Sequence, residues 1–120
     1  MYNLTIIDHF DAAHCLKHYP GVCSRLHGHT WKVEVHVAGW DRDRETNLVV
    51  DFRELKSCLK KVLETLDHQY LNAVLDNVDV SAELLAEYIY NQLELLLPEK
   101  IVLVQVTVWE SATAGVTFRR

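Results

Sequence analysis

Hydrophobic residues recur at every second position near the start of the chain, which is typical of a strand with one buried face. In residues 1–14 the even positions are mostly apolar and end in a histidine. They include Leu4, Ile6, Phe10, Ala12 and His14. After a loop the alternation returns, with its apolar set at Trp31, Val33, Val35 and Val37. His27 and His29 share the parity of that set, so the pattern places both on the core side of a second strand.

Two later stretches have the period of a helix instead. Asp51 can cap the first helix, with Glu54 three residues on in the manner of a capping box. Its apolar stripe is Leu55, Cys58, Leu59, Val62, Leu63 and Leu66. Ser81 is predicted to cap the second helix, and Pro98 to close it. The buried face predicted for that helix is Leu84, Leu85, Tyr88, Ile89 and Leu93.

A last long strand is predicted from Ile101, with one face formed by Val102, Val104, Val106 and Val108. Glu110 continues that parity, and residues 116–118 resume extended character after a small, turn-like segment. The order is therefore strand, strand, helix, helix and strand, with a further terminal strand. Because the helices are grouped rather than alternating with single strands, the order favours an α+β fold with an antiparallel sheet. A length of 120 residues with 49% hydrophobic residues predicts one domain, residues 1–120.

Charge and cysteine content narrow the partners and the compartment. The formal net charge is −5 and no run of Lys or Arg occurs, which argues against a nucleic-acid partner. The amino-terminal segment carries Asp8 and Asp11 and no basic leader, so we expect no signal peptide, no membrane partner and a cytoplasmic protein. The three cysteines are an odd number, which disfavours a disulfide framework.

Three histidines are candidate metal ligands. His27 and His29 project from the same face of a strand, and Gly28 between them leaves space for close approach. A catalytic zinc ion typically takes three protein ligands and keeps one position open, and His14 ends the neighbouring strand on the core side. The simpler interpretation is that all three are ordinary polar residues at strand ends. The matching parity favours the metal site, which His9, His18 and His36 do not share.

Cys23 lies in the loop directly before the His-Gly-His segment. A nearby cation would favour its thiolate and make it a usable base or nucleophile, although a lone cysteine is more often inert. Asp67 and His68 are adjacent and can supply an acid or base whose orientation the carboxylate supports. The alternative for His68 is a favourable position near the carboxyl end of a helix.

Glu110 is out of place on a valine-rich face, because a carboxylate there costs free energy unless a partner satisfies it. A ligand with paired N–H donors would do so. The alternative is that the strand has already ended at Trp109 and leaves Glu110 in solvent.

Four segments, spread in order over nearly the whole chain, resemble the 6-pyruvoyltetrahydropterin synthase family: FDAAHCL, CSRLHGH, LDHQYLN and WESATAG. The three-residue gap between Cys23 and His27 resembles the bacterial branch of that family, which makes 6-carboxy-5,6,7,8-tetrahydropterin in the queuosine pathway. The resemblance implies a tunnelling fold, in which an antiparallel four-stranded sheet carries two helices on one face. It also implies that subunits join their sheets into barrels, giving a homohexamer with active sites at subunit interfaces.

The resemblance implies a role for each candidate residue. The implied ligands of Zn²⁺ are His14, His27 and His29. The implied catalytic residues are Cys23 as base, with Asp67 and His68 as its partner dyad. Glu110 is implied to anchor the pterin, and Glu83 is retained as a second substrate contact. Relatives often have a Pro-Thr-x-Glu-like motif where this chain has Val80–Glu83.

The implied substrate is 7,8-dihydroneopterin triphosphate, which the carboxy branch converts with release of triphosphate and acetaldehyde. One alternative is the pyruvoyl synthase reaction, which eliminates triphosphate without cleaving a carbon–carbon bond. An alternative of another class is a non-catalytic zinc- or pterin-binding module, with Cys23 as a fourth zinc ligand. Candidates for the triphosphate, by charge alone, are Arg25, Lys32 and Arg119.

Overall fold

A computed structural model describes residues 1–120. Its strands are β1 (Tyr2–His14), β2 (His27–Gly39), β3 (Val102–Trp109) and β4 (Gly115–Phe118). Its α-helices are α1 (Phe52–Leu63), α2 (Leu71–Val74) and α3 (Ala82–Glu94). The strands form one antiparallel sheet in the order β1-β2-β3-β4. The predicted α+β fold with a four-stranded antiparallel sheet is confirmed, while the single-turn helix α2 was not predicted.

Both long helices begin where the sequence predicts. The Asp51 carboxylate accepts from the N–H of Arg53, and the Ser81 hydroxyl accepts from the N–H of Leu84. Each bond satisfies one of the amide donors that the first turn of a helix leaves free. α3 ends before Pro98, at Glu94.

The helices and one face of the sheet share a core of 26 buried hydrophobic residues. α1 contributes Leu55, Leu59, Val62 and Leu63, as the helical spacing predicts. In α3 the prediction was partly wrong, because Leu84 and Tyr88 are only partly buried while Ala86 and Tyr90 are fully so. The Tyr90 hydroxyl reaches this interior because it donates to the carbonyl of Leu103, at 3.1 Å.

The predicted face of β3 is wrong in its first half. Pairing with β2 shifts register once, which leaves Val104 as the extra residue of a β-bulge. A shift of one residue moves every side chain before it to the other face. Leu103 is therefore buried, whereas Val102 and Val104 face solvent. Val106 and Val108, beyond the bulge, lie on the predicted side.

β1 and β2 pair along their full length, from Tyr2 opposite Gly39 to His14 opposite His27. The ladder makes the molecule long, with principal extents of 55 × 22 × 22 Å. The candidate metal ligands lie at the end of the ladder where β1 ends and β2 begins. None of the helices combines the length and the apolar character that crossing a bilayer demands.

Candidate active site

Three histidines meet on the inner face of the sheet. Their ring centroids are 4.5 Å apart for His14 and His27, 4.8 Å for His27 and His29, and 5.1 Å for His14 and His29. Glu110 follows the last residue of β3, and its Oε1 lies 3.4 Å from Nε2 of His29. One donor atom from each of these four residues lies within 4.8 Å of all the others. We call these four residues the histidine cluster.

Backbone carbonyls orient two of the rings. Nδ1 of His14 donates to the carbonyl of Val80, and Nδ1 of His27 donates to that of Arg25, both at 2.7 Å. A carbonyl oxygen only accepts, so Nδ1 carries the proton and Nε2 presents a lone pair. Nε2 of His14 and Nε2 of His29 are buried without a hydrogen-bond partner, since Glu110 is close to His29 but not in hydrogen-bonding geometry.

Burial disfavours the charged form of two of these imidazoles. Desolvation lowers the pKa of His14 and of His29. The bond to the Val80 carbonyl partly opposes the shift for His14, and the charge of Glu110 partly opposes it for His29. The indole of Trp31 packs against two of these histidines. Its ring meets those of His14 and His29 edge-on, with centroids 4.9 and 5.1 Å away. Its Nε1–H donates to the carbonyl of Ala12, which fixes the indole in turn. Neutral, pre-oriented imidazole is the form that binds metal.

The donor set fits a divalent transition metal such as zinc. Three imidazole nitrogens supply the ligands, and buried polar atoms without partners are rare in proteins unless something binds them. The fourth donor beside them is the carboxylate of Glu110 and not the thiol of Cys23. The arrangement therefore gives no support to a site closed by Cys23.

Cys23 lies apart, in the single 3₁₀ turn Val22–Ser24 of the loop between β1 and β2. Cys23 is partly buried, and its carbonyl accepts from the N–H of Leu16 at 3.0 Å. Cys58 lies on α1 against the core, and all three cysteines are free thiols.

Asp67 and His68 form the predicted dyad, in the turn that follows α1. Nδ1 of His68 lies 3.0 Å from Oδ1 of Asp67, and the same oxygen accepts from the N–H of Asp11 at 3.0 Å. The Asp11 N–H holds the pKa of the Asp67 carboxyl below its ordinary value, so the dyad has an ionised member at neutral pH. His68 has a positive φ of 59°, and its N–H donates to the carbonyl of Asp11.

The dyad lies beside the outer face of the β1–β2 ladder. His68 borders a hollow of about 620 Å³ whose lining includes Asp11, Gly28 and Thr30, together with His29 of the histidine cluster. Asp11 and Thr30 alternate with the buried residues of their strands, so they face away from the core. A Cβ at Gly28 would be 3.8 Å from its nearest neighbour, an ordinary contact, so the glycine leaves room in this hollow rather than between the histidines.

Glu110 and Glu83 share a separate cavity of about 220 Å³. Glu83 stands in the first turn of α3, and Glu110 joins this cavity to the histidine cluster. β3 does end at Trp109, as the alternative interpretation of Glu110 required, yet the carboxylate stays beside His29. The triphosphate candidates Arg25, Lys32 and Arg119 do not line this cavity. Lys32 lies on the outer face, where its ammonium pairs with Glu34.

Sequence reasoning missed two residues that support the site. The Asn72 side chain is buried and pairs with both the N–H and the C=O of Cys15, at 3.0 Å each, which fixes the chain directly after His14. Asn72 belongs to the LDHQYLN segment, so its position was available as a signal. The Val80 carbonyl had no signal, because a main-chain group is the same in every residue.

The family described as 6-pyruvoyl tetrahydropterin synthase matches residues 3–120. A 6-carboxy-5,6,7,8-tetrahydropterin synthase from Synechocystis is 42% identical over 90 residues, covering 71% of this chain and 69% of the relative. A dihydroneopterin monophosphate aldolase from Pyrococcus furiosus is 36% identical over 107 residues, covering 89% of this chain and 88% of the relative.

Solved structures agree with the sequence relatives. The structure of Caenorhabditis elegans 6-pyruvoyl tetrahydropterin synthase is similar with a TM-score of 0.88 at 26% identity, and covers 99% of this chain and 95% of that one. This similarity confirms the predicted tunnelling fold for the single chain. Since a family match over residues 3–120 coincides with the motif order and the sheet topology, the chain belongs to the 6-pyruvoyl tetrahydropterin synthase family.

Proposed function

We propose that this chain converts 7,8-dihydroneopterin triphosphate to 6-carboxy-5,6,7,8-tetrahydropterin, with release of acetaldehyde and triphosphate, as a step of the queuosine pathway in the cytoplasm. The histidine cluster carries the proposal, because its buried and unpartnered nitrogen atoms suit a catalytic metal. The relative from Synechocystis, which bears the name of this activity, supports the choice of reaction. The free thiols are in keeping with a reducing compartment.

His14, His27 and His29 would hold Zn²⁺. When bound, zinc would act as a Lewis acid that polarises the side-chain oxygens of the substrate and acidifies the neighbouring C–H. Glu110 would serve the pterin, because its carboxylate can accept paired N–H bonds from the pyrimidine ring, and Glu83 borders the same cavity.

Proton transfer falls to groups outside the cluster. The Cys23 thiolate would remove a proton from the substrate side chain, and His68 would return one. The ionised Asp67 orients the His68 ring and would stabilise its imidazolium form.

The outward position of the dyad bears on assembly. The His68 ring is exposed beside the outer face of the β1–β2 ladder, so it is open to the cluster of a neighbouring chain. We therefore include in the proposal a homohexamer with active sites at subunit interfaces, in which unpaired sheet edges meet those of other subunits.

Two other reactions and one non-catalytic function are alternatives to this proposal. The pyruvoyl synthase reaction would use the same metal site and stop after triphosphate elimination. The aldolase relative from Pyrococcus furiosus points to cleavage of a dihydroneopterin phosphate. A non-catalytic zinc- or pterin-binding module would bind without turnover.

Product analysis separates these reactions. Zinc-loaded protein is incubated with 7,8-dihydroneopterin triphosphate, the pterin is identified by mass spectrometry, and acetaldehyde is assayed in the same sample. The proposal requires 6-carboxytetrahydropterin together with acetaldehyde. Triphosphate release with a retained three-carbon side chain identifies the pyruvoyl synthase, and cleavage of the monophosphate in a parallel incubation identifies the aldolase. Binding without any product identifies the module.

A further inference from the structure

The loop between β1 and β2 is held against the segment that precedes α3. The N–H of Lys17 donates to the carbonyl of Val78 at 3.3 Å, and the N–H of Val80 donates to that of Cys15 at 3.2 Å. Between these bonds Leu16 and Asp79 form an antiparallel bridge. The start of the loop and residues 78–80 therefore run beside each other as a short ribbon.

One side-chain pair locks this ribbon. The Asp79 carboxylate accepts twice from His18, once from the backbone N–H at 2.8 Å and once from Nδ1 at 2.6 Å. The N–H of Asp79 donates to the side-chain oxygen of Asn77 at 3.0 Å. This bond restrains the backbone that carries the Asp79 carboxylate. Because one carboxylate, that of Asp79, holds both the N–H and the ring of His18, it sets the position of the His18 backbone as well as the direction of the His18 ring.

The far end of the loop returns to the same place. The carbonyl of Cys23 accepts from the N–H of Leu16, two residues before His18. The intervening chain thus forms a closed turn whose base is Leu16 and Cys23. Whatever fixes residues 16–18 therefore also restrains the backbone at Cys23, from which the thiol projects.

We propose that His18 and Asp79 are a positioning pair that clamps the loop and so holds the Cys23 thiol in place for turnover. The pair touches no reacting atom and acts through the loop backbone. The part that concerns turnover rests on the proposed function, whereas the part that concerns the loop does not.

The test uses the full-length, zinc-loaded chain and two readouts. Asp79→Ala and His18→Ala are treated with iodoacetamide, and alkylation of each cysteine is followed by peptide mass spectrometry. Cys58, on α1, is the internal reference. The alkylation rate of Cys23 should rise by about fivefold, as the loss of an exposed hydrogen-bonded pair allows, while that of Cys58 stays constant. In the same variants kcat should fall by about fivefold, with KM within about twofold of the wild-type value.

Two further variants sharpen the comparison. Asp79→Asn keeps an oxygen for the His18 N–H and should give an intermediate alkylation rate and kcat. Asp43→Ala is the matched control, because the Asp43 carboxylate also accepts two loop N–H groups, those of Glu45 and Thr46, but beyond the opposite end of β2. It should leave both readouts unchanged.

Each outcome decides a stated point. An unchanged Cys23 alkylation rate in Asp79→Ala and His18→Ala overturns the clamp. Faster alkylation with a wild-type kcat overturns its role in turnover. If the wild-type chain makes no pterin product, the proposed function fails, and the alkylation rates still decide whether the pair holds the loop. Should Asp79→Ala fail to fold, Asp79→Asn and His18→Ala are judged by the same rates.

Discussion

The histidine cluster and the Asp67–His68 dyad combine the same chemical groups, imidazole and carboxylate, in opposite surroundings. His14 is 1% exposed and its ring is fixed by two strands and a carbonyl. The His68 ring is 76% exposed and is held through Asp67 in a turn. A buried, neutral and fixed imidazole suits a metal, whereas an accessible one can gain and lose protons. The chain thus brings its candidate metal ligands together by itself and leaves the Asp67–His68 pair exposed to solvent.

The largest expected effect is the loss of zinc affinity when one of the three candidate histidine ligands is removed. His27→Ala deletes one of the three nitrogens, and we expect zinc affinity to fall by more than the roughly 10–100-fold that loss of a supporting bond costs. A competition titration with a chelator measures the change. His36→Ala, on the outer face of the same strand, is the control and should bind zinc normally. Stoichiometric zinc binding of unchanged affinity in His27→Ala would contradict the assignment.

Cys23→Ala should abolish chemistry without touching the metal. Loss of a general base typically costs about 10²–10⁴-fold in rate. Turnover is measured by pterin product formation, and zinc content by elemental analysis of the same preparation. Cys58→Ala provides the comparison for a cysteine on α1. Normal turnover of Cys23→Ala would show that another group is the base.

The dyad can be tested for service to a neighbouring subunit. His68→Asn keeps a residue that tolerates positive φ but removes the proton carrier, so we expect about a hundredfold lower turnover with normal zinc content. Mixing it with His27→Ala after dissociation should restore activity, because roughly a quarter of randomly formed interfaces would join an intact cluster to an intact dyad. A mixture no more active than its components would place cluster and dyad of the same chain in one site.

The smallest expected effect is on stability in the metal-free protein. Burial lowers the pKa of His14 and His29 in the folded chain below their ordinary value of 6.5. As pH falls below about 6.5 the unfolded chain binds protons that the folded chain does not, so the free energy of unfolding should fall. Urea denaturation at pH 7.5 and pH 5.5 measures this. His14→Phe should reduce the pH dependence, and an equal dependence in that variant would contradict the cause.

Local patterns in the sequence predicted most of the frame. The parity of His14, His27 and His29 with neighbouring apolar residues put all three on the core face, because alternation along a strand is a property of a few adjacent residues. Asp51 and Ser81 predicted where α1 and α3 begin, because a helix cap is also a property of a few adjacent residues.

What the sequence did not predict depends on distant contacts. The bulge at Val104 arises from pairing with β2, and nothing in the valine pattern marks it. Nothing in the pattern around His18 predicts a partner, yet it bonds to Asp79, 61 residues later in the chain. The position of the dyad relative to β1 likewise depends on how the turn after α1 meets that strand. Such contacts follow from the assembled fold and not from any short segment.

Val80 has one further consequence. Its carbonyl orients the His14 ring, and the next residue, Ser81, caps α3, whose first turn carries Glu83 beside the cavity that we propose for the pterin. A shift of that helix end on occupation of the cavity would therefore turn a metal ligand as well. Coupling between two binding events is reciprocal, so the ion and the ring system would change each other's affinity by the same factor. The main chain at Val80 would then couple the binding of two ligands that need not touch each other.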